Sequence, residues 1–531
     1  MFARLLIFLL LSWVGILSGC TSFQLGSNIS KPPTYALKHP EQTRLGKRFE
    51  QEAQSHFGES GFRIIQAGMD GFLMRMQMIA AAERTLDLQY FIFHGDKTGK
   101  LLTETVLKAA DRGVKVRVLI DDGETEPGDE QIAALSAHPG IEIRVFNPFT
   151  YRGHVKLFKS TEFLFNASRL DYRMHNKLLV VDNAIALVGG RNIGDQYFQV
   201  DPDSQFADDD VFAVGLIVQK LSGTFDEFWN FNLSTPVELL SDEQPSPGAL
   251  NAQRQRLKEA HRELETEGLE FVKRLASDKP FQDILNRHLP VVWAQARLIY
   301  DSPDKKAVVN GTLSGRLMQP AIIEAANEVQ SELLMVSPYL IPDEESMQLF
   351  KNLHQRKTDI RILTNSMESA EMSMAQSGYM HYRIPLLENG VDLYEIRSQL
   401  GNSKGSGQSA AISRFGNYGL HAKLYVFDRK KLFIGSMNFD QRSKHLNTEI
   451  GLIIHSPELA QQVANRFQAM VQPANAYKLS LHFNTGSGEP DLVWQTQEGG
   501  KTVVYDTEPS RNDWQSFKIN VLSALPVDDE L

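Results

Sequence analysis

His175, Asn176 and Lys177, followed after four residues by Asp182, bring an imidazole, an amide, an ammonium and a carboxylate into one short stretch, and the chain repeats the phrase with His421, Ala422, Lys423 and Asp428. Both copies run into a matching tail. Gly189-Gly190-Arg191-Asn192 follows the first and Gly435-Ser436-Met437-Asn438 the second, so His, Lys, Asp and Asn recur at identical offsets. An imidazole attacks phosphorus or carries a proton, while a lysine and an amide hold anionic oxygens. Two such sets fit one site, assembled from two half-sites, that handles a phosphate ester. The lysines would supply the positive charge, and no clustered metal-ligand spacing is present, so no metal or other cofactor is expected.

Each copy reads as a β-hairpin, with apolar runs flanking turns at Asp182-Asn183-Ala184 and Asp428-Arg429-Lys430. Residues two apart share a strand face, which points His175 with Lys177 and His421 with Lys423. Two-residue turns would set His175 opposite Asn192 and Lys177 opposite Gly190, with His421 opposite Asn438 and Lys423 opposite Ser436. Asp182 and Asp428 then lie at the far ends, as turn and register residues. Carboxylates that could orient the histidines open later strand-like runs, at Asp210 and Glu449.

These residues resemble the phospholipase D superfamily with its paired HxKxxxxD motifs. The longer strings Arg173-Met174-His175-Asn176-Lys177, Gly189 to Asp195 and Gly435 to Ser443 are similar to its bacterial cardiolipin synthase branch, of the type that uses phosphatidylethanolamine. The likeness runs from roughly residue 60 to the C-terminus and includes Phe146-Asn147-Pro148-Phe149 and Asn447-Thr448-Glu449. It implies that His175 attacks a phospholipid phosphorus, that His421 protonates the departing alcohol and then deprotonates the acceptor, and that Lys177, Lys423, Asn192 and Asn438 hold the non-bridging oxygens. With phosphatidylglycerol as acceptor the product is cardiolipin; with water the enzyme is a phospholipase D. A nucleic-acid phosphodiesterase and a non-catalytic lipid-binding lipoprotein are the remaining readings.

The duplication extends past the motifs. Val114 to Ile120 parallels Thr358 to Thr364, and Gly140 to Arg144 parallels Gly390 to Tyr394. Strand, helix and strand alternate ahead of each hairpin, the rhythm of an α/β fold. The expectation is two pseudo-symmetric phospholipase D-like α/β domains, each a mixed sheet flanked by helices, sharing one site at their interface: a first domain over 46–235, a helical insertion over 236–290, a second domain over 291–475 and a C-terminal β/amphipathic extension over 476–531. The insertion, dense in charged residues from Leu250 to Leu275, reads as an exposed helix covering the junction of the halves. Arg397 to Leu420, rich in Gly, Ser and Asn, reads as a mobile loop beside the site.

Arg4, the apolar run Leu5 to Leu17 and Leu17-Ser18-Gly19-Cys20 resemble a lipoprotein signal over 1–19 with lipidation at Cys20, followed by an extended tether over 20–45. The run is short for a transmembrane helix, which needs about 20 residues. Cys20 is the only cysteine, which excludes an intramolecular disulfide. The expected location is the periplasmic side of the cell envelope, lipid-anchored, with Thr21 pointing to the outer membrane. Hydrophobic residues at 42% and charged residues at 23% suit a globular body. A net charge of −10 argues against a nucleic-acid partner, although Arg152, Lys156, Lys159, Arg169, Arg173, Arg191, Arg414 and Arg442 gather near the motifs.

Overall fold

The computed structural model describes residues 31–123, 129–150, 169–201, 203–240, 245–267, 270–400, 417–483 and 490–523. The signal segment, Cys20, the first part of the tether, Arg152, Lys156, Lys159 and Arg414 lie outside them.

The first half contributes β1 (Ser60–Ile65), β2 (Thr85–Tyr90), β3 (Lys115–Asp121), β4 (Ile141–Phe146), β5 (Leu178–Val181), β6 (Ile185–Gly189), β7 (Ser204–Ala207), β8 (Asp210–Gly215) and β9 (Ser234–Pro236). The second contributes β10 (Val292–Tyr300), β11 (Glu332–Val336), β12 (Asp359–Asn365), β13 (Val391–Ile396), β14 (Asn417–Leu420), β15 (Leu424–Phe427), β16 (Lys431–Gly435), β17 (Ile450–His455), β18 (Ala476–Phe483), β19 (Pro490–Glu498) and β20 (Lys501–Tyr505).

Strand pairing makes the duplication explicit. One sheet runs β1-β8-β6-β5-β2-β3-β4-β9. The other runs β10-β17-β16-β15-β11-β12-β13-β18, and then adds β19 and β20. In each, three parallel strands (β2-β3-β4, β11-β12-β13) are flanked by antiparallel ones. The sheets join edge to edge where Ser60 to Phe62 of β1 pairs with Val292 to Ala294 of β10.

The hairpin strands are apolar on both faces because both faces are covered. Leu178, Val180, Ala186 and Val188 turn into the same cluster as Leu424, Val426, Leu432 and Ile434, so the two halves share one core at their interface. Leu179, Val181, Ile185 and Leu187 face the first half's own helices. Tyr425, Phe427 and Phe433 face those of the second.

Four expectations need correction. The hairpin turns hold three residues: Val181 faces Ile185 and Phe427 faces Lys431, which shifts the expected cross-strand pairing by one. Asp182 and Asn183, like Asp428 and Arg429, adopt positive φ of 50–54°, and one extra residue follows each tight turn. The insertion (helices Pro247–Glu267, Glu270–Ser277 and Pro280–Leu285) does not cover the junction; its Leu250, Leu257, Leu264 and Phe281 pack on the outer face of the first half. The tether's described part is docked rather than free: Lys31 Nζ donates to Ser234 O (2.7 Å), and the N–H groups of Thr34 and Ala36 donate to Asn230 and Asp226. Finally, residues 417–420 of the expected loop form strand β14, while 401–416 lie outside the described residues.

Candidate active site

Two short parallel pairings deliver the chemical groups. β14 runs parallel to β7, with Leu420 opposite Ala207, so the next residues, His421 and Asp208, emerge side by side from different halves. His421 N–H and Ala422 N–H both donate to Ala207 O (2.8 and 2.9 Å). On the other side of the pseudo-dyad, Met174 bridges Thr448 in parallel, and His175 N–H donates to Thr448 O (2.9 Å). His175 and Glu449 therefore emerge together as well.

Each imidazole is held by a carboxylate of the opposite half. His175 Nδ1 lies 2.9 and 3.0 Å from the two Glu449 oxygens, and His421 Nδ1 lies 2.5 Å from Asp208 Oδ2. A carboxylate on Nδ1 fixes the proton there and leaves Nε2 as the free lone pair. Glu449 is further fixed by the hydroxyls of Ser436 and Ser443. Lys177 Nζ donates to His175 O (2.7 Å), and Lys423 Nζ donates to His421 O and sits 3.1 Å from His421 Nδ1. Asn192 uses its side-chain carbonyl to accept the Ile92 N–H (3.1 Å), which leaves its NH2 end for a ligand. Asn438 is buried at the equivalent place beyond β16. Phe91 stands edge-on to His175 at 5.0 Å, and Tyr197 edge-on to His421 at 5.1 Å.

The structure places Asp182 and Asp428 away from the histidines, at the hairpin tips. Asp182 accepts the N–H groups of Glu83, Arg84 and Thr85, clamping the hairpin to the start of β2. Asp428 does the same with Gln330, Ser331 and Glu332 at the start of β11.

Asp210 does not orient a histidine. It lies between two buried arginines, 2.8 Å from Arg75 Nη1 and 3.0 Å from Arg191 Nη1. The register shows why. Gly189 faces Asp210, whereas Gly435 faces Gly451, so Asp208 is the true counterpart of Glu449. Sequence reasoning passed over Asp208; the run Asp208-Asp209-Asp210 was the available signal. Its members take three different partners: His421, Arg466 (2.6 Å, from the second half) and the Arg75/Arg191 pair.

Asp208 is one carbon shorter than Glu449, and the chain accommodates it with Gly190 where the second half has Ser436. A Cβ on Gly190 would lie 2.2 Å from Asp208 Oδ1. Gly190→Ala is therefore expected to push Asp208 off His421 and lower turnover about a hundredfold, with lipid binding little changed. Parallel assays of kcat and KM check this.

Burial sets the electrostatics. Burial, reinforced by Lys177 and Lys423, pushes the His175 imidazole well below 6.5. Burial and then Lys423 lower His421 to about 3, against the opposing pull of Asp208. Both imidazoles are thus neutral near pH 7. Burial raises Glu449 to about 7, and burial lowers Lys423 to about 8. Each lysine acts on the histidine of the other half as well as its own. Burial likewise holds Lys177 well below 10.5. Two neutral imidazoles, each with a free Nε2 and a buried lysine beside it, form an arrangement suited to phosphoryl transfer of the phospholipase D kind.

Comparison with known proteins gives that class its family. A family model described as "Cardiolipin synthase, PLD-like domain" matches residues 76–229 and 322–471, one copy per half. Cardiolipin synthase C of Escherichia coli (strain K12) is 34% identical over 477 residues, covering 89% of this chain and 96% of that protein. A cardiolipin synthase of Halalkalibacterium halodurans is 25% identical over 424 residues, 80% of this chain and 68% of that protein. Among solved structures, the phosphatidylserine synthase of Haemophilus influenzae Rd KW20 shares the fold, with a TM-score of 0.55 at 12% identity, covering 92% of this chain and all of that one. The chain belongs to the cardiolipin synthase branch of the phospholipase D superfamily. It is a phosphatidyltransferase whose substrates are phospholipids.

Proposed function

We propose that the chain makes cardiolipin by moving the phosphatidyl group of phosphatidylethanolamine onto the terminal hydroxyl of phosphatidylglycerol. The observation that carries this reading is the crossed pairing of each histidine with the other half's carboxylate, which makes the two imidazoles one machine on either side of a phosphorus. The near full-length likeness to cardiolipin synthase C supports the choice of acceptor.

His175 Nε2 attacks phosphorus as the bond to the headgroup oxygen breaks, and His421 gives that oxygen its proton. In the second step the phosphatidylglycerol hydroxyl yields its proton to His421 while its oxygen attacks phosphorus and the P–N bond breaks. Lys177, Lys423, Asn192 and Asn438 hold the non-bridging oxygens. His421 must be protonated for the first step, yet burial and then the lysines hold it neutral. An anionic phosphodiester between the lysines offsets their part of that shift and so favours the protonated form of His421. Glu449 and Asp208 stay in place as orienting groups.

The Leu17-Ser18-Gly19-Cys20 segment supports an anchor at Cys20, which would hold this chemistry at a membrane on the periplasmic side, in the outer membrane by the residue that follows. Among the described residues no helix is long and apolar enough to cross a membrane.

Labelled phosphatidylglycerol, with and without phosphatidylethanolamine, tests the reading when cardiolipin and phosphatidic acid are followed by mass spectrometry beside His175→Ala. Cardiolipin that requires phosphatidylethanolamine and His175 supports it; phosphatidic acid alone makes water the acceptor and overturns it.

The pH profile offers a second check. Lys423, lowered to about 8, is an ammonium below that pH and loses its charge above it. The value of kcat/KM is expected to fall as pH rises through about 8, while kcat, which reports the anion-bound enzyme, holds to higher pH. Lys423→Arg should remove the Lys423 share of that limb, because a guanidinium stays charged, while Lys177, which burial also holds well below 10.5, keeps its own.

A further inference from the structure

The C-terminal helix Asp513–Ser523 has two apolar faces. One is internal: Ile519 is fully buried against the second half. The other points away from the protein. Trp514, Phe517 and Val521 recur at three- and four-residue spacing and are 69%, 60% and 50% exposed, with Trp514 stacked on Phe517 at 5.8 Å. Lys518 flanks this stripe and is also exposed. Met372 and Met374, at the start of the neighbouring helix Ser373–Met380, add two more exposed apolar side chains, and the two helices pack together.

The stripe is tied to the rim of the active site. Gln515 Nε2 donates to Met367 O (2.7 Å), and Arg511 donates to Glu368 O. Those residues belong to the loop leaving β12, whose Asn365 side chain grips Leu420 through both its backbone groups, at 2.9 and 2.8 Å. Leu420 immediately precedes His421. Glu371, next in that loop to Met372, is close enough to act on Lys423 and Tyr197. The helix that carries the apolar stripe is therefore joined, through this loop, to the segment that carries His421.

We propose that the Trp514–Phe517–Val521 face, with Met372 and Met374, seats on the surface of a phospholipid bilayer and sets the site mouth against the lipid it draws from. The substrate argues for a bilayer rather than a protein: a diacyl phospholipid is presented by its membrane, so the lip of a site for it is where the enzyme meets that membrane. The composition agrees with this. A tryptophan and a phenylalanine beside a lysine suit the headgroup boundary, where apolar rings enter and a cation meets lipid phosphates. The helix lies outside both family-matched segments, whereas Met372 and Met374 lie within the second.

This inference rests on the phospholipid reading of the site, and two measurements separate them. In the first, full-length protein and the variant Trp514→Ser/Phe517→Ser are assayed on phosphatidylglycerol/phosphatidylethanolamine vesicles and on dissolved dihexanoyl lipids of the same headgroups. Loss of the stripe should lower turnover on vesicles about tenfold and leave the dissolved substrates unaffected. Equal loss on both would make the helix a support of the site, and no loss on vesicles would make the surface irrelevant to the membrane; either overturns the proposal. In the second, vesicles of brominated phosphatidylglycerol are used to quench tryptophan emission. Quenching that disappears in Trp514→Phe supports seating of this face whether or not any lipid is turned over. Quenching that persists unchanged in that variant places the contact elsewhere.

Discussion

Replacing His421 with alanine is expected to leave a protein that accepts a labelled phosphatidyl group on His175 and keeps it, with steady turnover reduced about 10⁴-fold. The asymmetry follows from the roles proposed for the two rings. His175 keeps its own orienting carboxylate, Glu449, and both lysines, so its Nε2 remains a neutral nucleophile in the variant. What is lost is the proton for the departing headgroup and the base for the incoming hydroxyl. A donor with a better leaving group, such as a p-nitrophenyl phosphatidyl ester, needs no such proton and should label the variant rapidly. His175→Ala should show neither label nor turnover with any donor. Mass spectrometry of the peptide containing His175 reads the adduct directly, and label found on His421 in His175→Ala would reverse the assignment.

How far the sequence foretold this site can be judged from particular residues. The repeat was legible because both copies keep His, Lys and Asn at the same offsets, and offset within a hairpin is a local property. The strands and helices around them were legible for the same reason: Asp96 caps the helix Lys97–Asp111 and Asp343 caps Glu344–Gln355, each by accepting a nearby backbone N–H. The carboxylate partners were harder. Asp208 and Glu449 occupy equivalent places, but the segments linking Gly190 to Asp208 and Ser436 to Glu449 differ in length, so no common offset marks them. With three consecutive aspartates available, the one that opens a strand looked like the counterpart, and the pairing of Gly189 with Asp210 shows that it is two residues too late. The crossing itself was not legible at all. It depends on β7 meeting β14 and on Met174 meeting Thr448, contacts between halves that no local pattern encodes. The insertion misled for a related reason: its helical period was visible, whereas which surface its leucines cover is decided by the outer face of the first domain.

The crossed pairing makes its own prediction, and it separates two neighbouring aspartates. Asp208→Asn is expected to lower kcat about 10²–10⁴-fold in a protein that stays folded, because the neutral amide no longer fixes the His421 tautomer or supports its protonated form. Its signature should match His421→Ala, including retention of phosphatidyl on His175, although Asp208 lies in the same half as His175. Asp210→Asn should behave differently. Asp210 faces Arg75 and Arg191, both fully buried, and removing its charge leaves two interior guanidiniums short of a counter-ion, at a cost of about 3–5 kcal/mol of stability. That variant should unfold earlier in denaturant while its folded fraction turns over lipid near the normal rate. Glu449→Gln completes the comparison: it should abolish the labelling that Asp208→Asn preserves, since the imidazole it orients is the nucleophile. If Asp208→Asn and Asp210→Asn instead lost the same activity and the same stability, the three aspartates would be one structural cluster, and the division of labour across the two halves would fall with them.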